Sequence, residues 1–170
     1  RGPRARFIYF NPCDARRTSR WNPLAGINTR SQAFDLAQTI VAAGPQKSNG
    51  DSPFFSQQAS LKLALLFQAV NKLFNGTGTM QHVRDAIDGG STRISAIGKA
   101  SGCAGLEGFA QELVAGNRNT ETVMAEMANS IMAWQDDAVC EATSQSEFSL
   151  ADLESEPHVL VIGLPEEKVE

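Results

Sequence analysis

The sequence lacks any hydrophobic run long enough to cross a membrane. Its longest apolar stretch, residues 61–70, is interrupted by Lys62 and Gln68, whereas a membrane-spanning helix needs about 20 mostly apolar residues. We therefore expect that this chain does not cross a bilayer. It also has no basic and apolar leader with a cleavage site and no initiator methionine, so we expect it to be part of a longer protein.

Cysteine and histidine are scarce. The residues are Cys13, Cys103, Cys140, His82 and His158, with no C-x-x-C pair, and this spacing excludes the usual zinc sites. The odd number and wide separation of the cysteines favour reduced thiols in a cytosolic compartment, with a single disulfide as the alternative. A further interpretation is an enzyme that uses Cys103 or Cys140 as its nucleophile and a histidine as its base.

Signatures of nucleotide hydrolysis are also missing. The phosphate-binding loop GxxxxGK[ST] does not occur. The glycine-rich residues 98–108 match neither that loop nor a dinucleotide fingerprint, and we predict that they connect two helices. The adjacent acids Asp136 and Asp137 would point in different directions and are poor acid–base partners. The sequence therefore predicts no catalytic residues, no metal site and no cofactor in this chain.

The length and amino-acid composition of the chain are typical of one globular domain. The chain has 170 residues, of which 42% are hydrophobic and 20% are charged, and both values lie near the averages for globular proteins. A chain of this length buries enough apolar surface to fold without disulfides or metals. Disordered, coiled-coil and collagen-like classes are excluded.

Charge is distributed unevenly along the chain. Residues 1–30 contain seven arginines and one acid, residues 135–170 contain ten acids and one lysine, and the net charge is −4. The first interpretation is that the two ends lie near each other and partly neutralise. The second is that Arg16, Arg17, Arg20 and Arg30 form a phosphate-facing patch, although a pI of 5.2 is unlike that of a dedicated DNA-binding protein.

Hydrophobic periodicity predicts helices between two short strands. Residues 7–10 and 159–162 are apolar, β-prone runs, which we predict to be buried strands. Residues 53–74 are apolar on almost every side, as in a central helix, and Met124, Met127 and Met132 are predicted to fill the core. The helical segments follow from apolar spacing and cap residues: 31–43, 53–74, 80–88, 91–97, 106–114 and 120–134.

Five motifs in a fixed order resemble those of the TraG/TraD-type conjugative coupling proteins of type IV secretion systems. In chain order they are Phe10-Asn11-Pro12; Arg20-Trp21-Asn22-Pro23-Leu24; Asp51-Ser52-Pro53-Phe54-Phe55 followed by Ala59, Leu63 and Leu66; residues 143–150 with Leu153; and residues 159–165. One departure is Phe55, where family members often have tryptophan, and this is a conservative aromatic change.

The resemblance implies that this chain is one domain of a larger ATPase. Members of this family are membrane-anchored, hexameric P-loop ATPases that deliver relaxase-bound DNA and protein substrates, and an all-α domain is inserted in their nucleotide-binding domain. The resemblance implies that residues 1–170 form that single all-α domain, with a core at about 28–155. The segments at about 6–10 and 158–163 would be strands that belong to the sheet of the parent ATPase domain. ATP and Mg²⁺ would bind the parent on the cytoplasmic face of the bacterial inner membrane, and not this fragment.

The resemblance also implies a role in substrate recognition. We expect the domain, as an isolated monomer, to bind DNA, single- or double-stranded, and a relaxase or a relaxosome accessory protein. The candidate phosphate contacts are Arg16, Arg17, Arg20, Arg30, Lys47 and Lys99, since arginine and lysine make such contacts. The main alternative is a module that binds only protein, which the net negative charge favours. A structural insertion that spaces the subunits of the hexamer is another.

Overall fold

The computed structural model describes residues 5–44, 53–151, 153 and 157–163. This part of the chain is mostly helical with a short strand near each end, which confirms the predicted fold class. Its elements are β1 (Arg6–Phe10), α1 (Arg30–Ala43), α2 (Pro53–Leu73), α3 (Met80–Asp88), α4 (Gly90–Ser101), α5 (Ala104–Val114), α6 (Arg118–Ser130), a 3₁₀ helix (Met132–Gln135), α7 (Asp137–Ala142) and β2 (His158–Ile162). None of the described helices is long and apolar enough to span a bilayer.

Helix α1 begins with a capping box. The Thr29 hydroxyl accepts a hydrogen bond from the Gln32 amide at 3.2 Å, and the Gln32 side chain accepts one from the Thr29 amide at 3.0 Å. These bonds satisfy two amides that an uncapped helix leaves unpaired, so α1 starts one residue earlier than predicted. Its buried face, which includes Ile40 and Val41, packs against α2.

Helix α2 is the central element, as its apolar composition predicts. It contacts α1, α3, α4, α5 and α6, and Leu63, Leu66, Phe67 and Val70 are fully buried. Each such side chain contributes roughly 1.5–3 kcal/mol by leaving water. Asp51 and Ser52, which are suited to cap this helix ahead of Pro53, lie outside the described residues.

The prediction that residues 98–108 only connect two helices is wrong. Gly98 lies inside α4, α5 already begins at residue 104, and only Gly102 and Cys103 separate the two helices. Gly98 allows the helices to approach closely, because a Cβ at this position would lie 3.0 Å from the backbone nitrogen of Glu107. Gly102 then ends α4 in the left-handed conformation, with φ of 72°.

The predicted helix 120–134 is divided. Helix α6 ends at Ser130, and Trp134 belongs to the 3₁₀ helix that follows. Met127 is buried and Met124 packs against the core, as predicted, but Met132 is 52% exposed and does not fill the core. Helical spacing already places Met132 on the side opposite Val123, because nine residues at about 100° each turn the side chain by half a revolution.

The two strands pair with each other in parallel, with Arg6 opposite His158 and Phe10 opposite Ile162. The prediction that both strands are buried is wrong for β2, since Ile162 is 60% exposed; in β1, Ile8 is buried but Phe7 is 67% exposed. Within the described part of the chain no helix packs extensively over this two-stranded sheet. Parallel strands normally lie between covering layers, so these strands present an uncovered apolar surface.

Candidate functional site

The connection between β1 and α1, residues 11–29, is held by local hydrogen bonds. The Asn11 amide donates to the Thr18 hydroxyl at 2.8 Å, and the Ser19 amide donates to the Tyr9 carbonyl at 2.7 Å. These bonds bring residues 9–11 next to residues 18–19, so the first part of the connection closes into a compact surface loop. The residues between them therefore form a fixed tip at the surface.

Arg16 and Arg17 lie on this tip. Both are exposed, and the Arg17 amide donates to the Asp14 carbonyl at 3.1 Å, which closes a turn beneath them. In the described part of the chain neither guanidinium takes part in an ion pair. Two positive charges are thus held together at the surface and are available to an anionic partner.

Arg20 has a different environment. Its Nη2 donates to Oε1 of Glu141 at 2.8 Å, its carbonyl accepts from the Glu147 amide at 2.9 Å, and the Trp21 amide donates to the Ala142 carbonyl at 3.0 Å. Residues 20 and 21 of the basic segment therefore lie beside residues 141–147 of the acidic segment, and the ion pair with Glu141 neutralises charge between them, as the first interpretation predicts. The charge of Arg20 is engaged within the protein, whereas those of the two loop-tip arginines are not.

The other candidate phosphate contacts are spread over the molecule. Arg30 is exposed at the first position of α1, directly after the loop. Lys99 is exposed on α4, beside a groove that α4 forms with α5. Lys47 lies outside the described residues. The structure thus brings three of the predicted arginines, Arg16, Arg17 and Arg20, onto one loop and places Lys99 on a separate element, α4.

An apolar cleft adjoins this loop, and sequence reasoning missed it. It has a volume of about 520 Å³ and lies between the loop, α1 and residues 133–143. Its walls include both tryptophans of the chain, Trp21 and Trp134. Phe10 packs edge-on against Trp21 with ring centroids 6.2 Å apart, and the Trp134 indole donates to the Thr143 hydroxyl at 3.0 Å. The available signal was a loop with two prolines, Pro12 and Pro23, and one tryptophan, Trp21, that no helix or strand period explains.

The environment of Cys140 suits packing rather than nucleophilic chemistry. All three cysteines are free. Cys140 is buried, and its thiol donates to the Trp134 carbonyl at 3.0 Å. Burial raises the pKa of the Cys140 thiol, and the nearby Arg84 only partly opposes this effect. The thiolate, which is the nucleophilic form, is therefore disfavoured at neutral pH.

The described part of the chain is thus a helical domain whose outer surface combines an exposed arginine pair with an apolar cleft. The family model for conjugative DNA transfer by the type IV secretory system matches residues 3–170, and the chain belongs to this family. This match confirms the resemblance seen in the five motifs. No curated protein matches the sequence.

Proposed function

We propose that this domain recognises the substrate of conjugative transfer and contacts DNA phosphates through Arg16 and Arg17. The observation that carries the proposal is the fixed loop tip, where both side chains are exposed and have no acidic partner among the described residues. Phosphate contacts fix a protein on DNA without reading its sequence. The role of this loop would therefore be to hold DNA of any sequence.

The remaining candidates take supporting roles in this proposal. Arg30 would extend the contact from the loop to the start of α1. Arg20 would orient the loop through its ion pair with Glu141 and contribute little to DNA affinity. Lys99, on α4, would make at most a separate contact, because it belongs to a different part of the surface.

The proposal can be tested by fluorescence anisotropy of the 170-residue chain with labelled single- and double-stranded DNA at several salt concentrations. We expect saturable binding that weakens as salt increases, because Lys and Arg contacts release counterions from the phosphates. The variant Arg16→Ala/Arg17→Ala should bind more weakly and should lower the salt slope by about 2.

The matched control is Arg118→Glu, which changes the net charge by the same amount at the exposed start of α6. A glutamate in the first turn of a helix is favourable, so this variant should fold and bind as the native chain does. Equal weakening in both variants would show that only net charge matters. Unchanged affinity in the arginine double variant would remove the loop from the proposal.

A second candidate function is the recognition of protein alone, by contact with a relaxase or a relaxosome accessory protein. The apolar cleft favours it, because an open, aromatic-lined cleft of about 520 Å³ suits apolar side chains better than phosphates. Both tryptophans line the cleft, so a bound partner should change the intrinsic fluorescence. A folded domain that binds neither form of DNA at low salt but gives this signal with a purified relaxosome protein would favour the second function.

We also propose that the parent protein, and not this domain, hydrolyses ATP. The uncovered apolar strands support a position within a larger sheet, in which β1 and β2 would pair with further strands. In the parent this would be the sheet of a membrane-anchored, hexameric, Mg²⁺-dependent ATPase at the cytoplasmic face of the inner membrane. Measurement of ATP turnover by this chain tests the assignment, and activity above background would contradict it.

A further inference from the structure

A second cavity lies on a part of the surface that is not used above, between the end of α2, α3 and α4. It has a volume of about 220 Å³. Aliphatic side chains, including Leu73, Ile97 and Ala100, form its apolar lining, and three ionisable side chains complete it, namely His82, Asp85 and Arg93. Drug-sized ligands occupy pockets of about 300–1,000 Å³. This smaller cavity therefore suits a single amino-acid residue, that is, one side chain with the polar backbone groups attached to it.

The hydrogen bonds of His82 fix its tautomer. The Thr79 amide donates to Nδ1 of His82 at 3.1 Å, so Nδ1 must carry a lone pair and the neutral ring carries its proton on Nε2. The ring also stacks on Phe74, with centroids 3.8 Å apart. His82 is therefore held in place as a hydrogen-bond donor in the wall of the cavity.

Arg93 and Asp85 supply opposite charges beside this donor. Burial lowers the pKa of His82, while Asp85 raises it and Arg93 lowers it, so both charges act on the ring. Arg93 is exposed and takes part in no ion pair within the described ranges. Asp85 has a long contact with Arg84, at 3.8 Å. A cation, a neutral donor and an acceptor thus surround an apolar pocket.

We propose that this cavity binds an apolar amino-acid residue that has a free carboxylate. The ligand's side chain would occupy the apolar lining, its carboxylate would accept from Arg93 and from Nε2–H of His82, and its α-nitrogen would donate to Asp85. Each polar group of the cavity then has a partner of complementary chemistry. A free amino acid and the last residue of a polypeptide share this chemistry. The inference does not depend on the proposed contact with DNA.

The test is NMR of the imidazole C–H signals during titration with free leucine, the peptide Ala-Ala-Leu and its carboxamide. The chain has two histidines, and a His158→Gln variant assigns their signals. We expect saturable shifts at His82 and none at His158. The carboxamide should bind about tenfold or more weakly, because it lacks the charge-assisted hydrogen bonds to the carboxylate.

Three variants separate this site from general effects. Arg93→Gln should weaken binding about tenfold, since it removes the cation but keeps a donor, and Ala100→Leu should block the cavity without a change of charge. The matched control is Lys99→Gln, which removes one positive charge from the same helix outside this cavity. It should leave the affinity unchanged.

The NMR titrations identify the kind of ligand and test the proposal. Binding of leucine alone identifies a free amino acid as the ligand, whereas tighter binding of the peptide identifies a polypeptide terminus. Either result supports the site when the variants behave as expected. Equal affinity for a peptide that binds and for its carboxamide would overturn the proposal. So would an equal loss of affinity in Arg93→Gln and Lys99→Gln, or the absence of any shift with leucine and with the peptide at millimolar concentration.

Discussion

The contact between α4 and α5 makes a sharp prediction for Gly98→Ala. The added Cβ would lie 2.9 Å from Cγ of Glu107 and 3.0 Å from its backbone nitrogen. The side chain can turn away, but the nitrogen moves only with α5. Overpacking of this kind costs about 1–3 kcal/mol, and the higher helix propensity of alanine offsets about 0.5–1 kcal/mol. We expect a net loss of stability of about 1 kcal/mol.

Gly108→Ala is the matched control for Gly98→Ala. Gly108 lies inside α5, and a Cβ there would meet nothing within 4 Å, so this variant should gain about 0.5–1 kcal/mol. Urea unfolding followed by circular dichroism measures both changes, and for a protein of this size each kcal/mol shifts Tm by about 2–4 °C. If Gly98→Ala proved as stabilising as Gly108→Ala, the argument from close packing would be refuted.

Three further predictions concern titratable groups. Because burial lowers the pKa of His82, its contribution to stability is present above the unfolded pKa of about 6.5 and is lost as pH falls through the lower folded pKa. The free energy of unfolding should thus drop more between pH 7 and pH 5 in the native chain than in His82→Gln, and equal drops would contradict this. A double-mutant cycle on Arg20 and Glu141 should give a coupling of about 0.2–1 kcal/mol at low salt, and zero coupling would show that the ion pair contributes nothing. Cys140, whose burial raises its pKa, should react with iodoacetamide more slowly than the other two thiols, and equal rates would contradict its burial.

Local patterns in the sequence predicted the positions of the helices better than they predicted the contacts between helices. The apolar residues of α1 and α2 recur within a few turns of chain, so α2 was correctly predicted to be central. The start of α1 was misplaced by one residue because the capping box at Thr29 was not predicted. The glycines at 98–108 were misread because glycine has low helix propensity. What keeps Gly98 in α4 is contact with α5, and single-residue propensity contains no information about that contact.

The candidate site was only partly predictable for the same reason. The loop-tip arginines could be found from charge alone. The engagement of Arg20 by Glu141, 121 residues away, depends on how the chain closes on itself. The apolar cleft and the cavity at His82 are each formed by separate segments, so neither leaves a contiguous motif in the sequence.

The parallel pairing of β1 and β2 has a mechanical consequence. Because the strands run in the same direction, the first residue of β1, Arg6, and the last residue of β2, Ile162, lie at opposite ends of the pair. Tension applied between these two points would act along the strands and load their hydrogen bonds together, in shear, instead of one at a time. The helices lie between the strands in the chain and would carry no load until the pair slides apart. The hydrogen bonds between the two strands therefore resist a pulling force before that force reaches the helices.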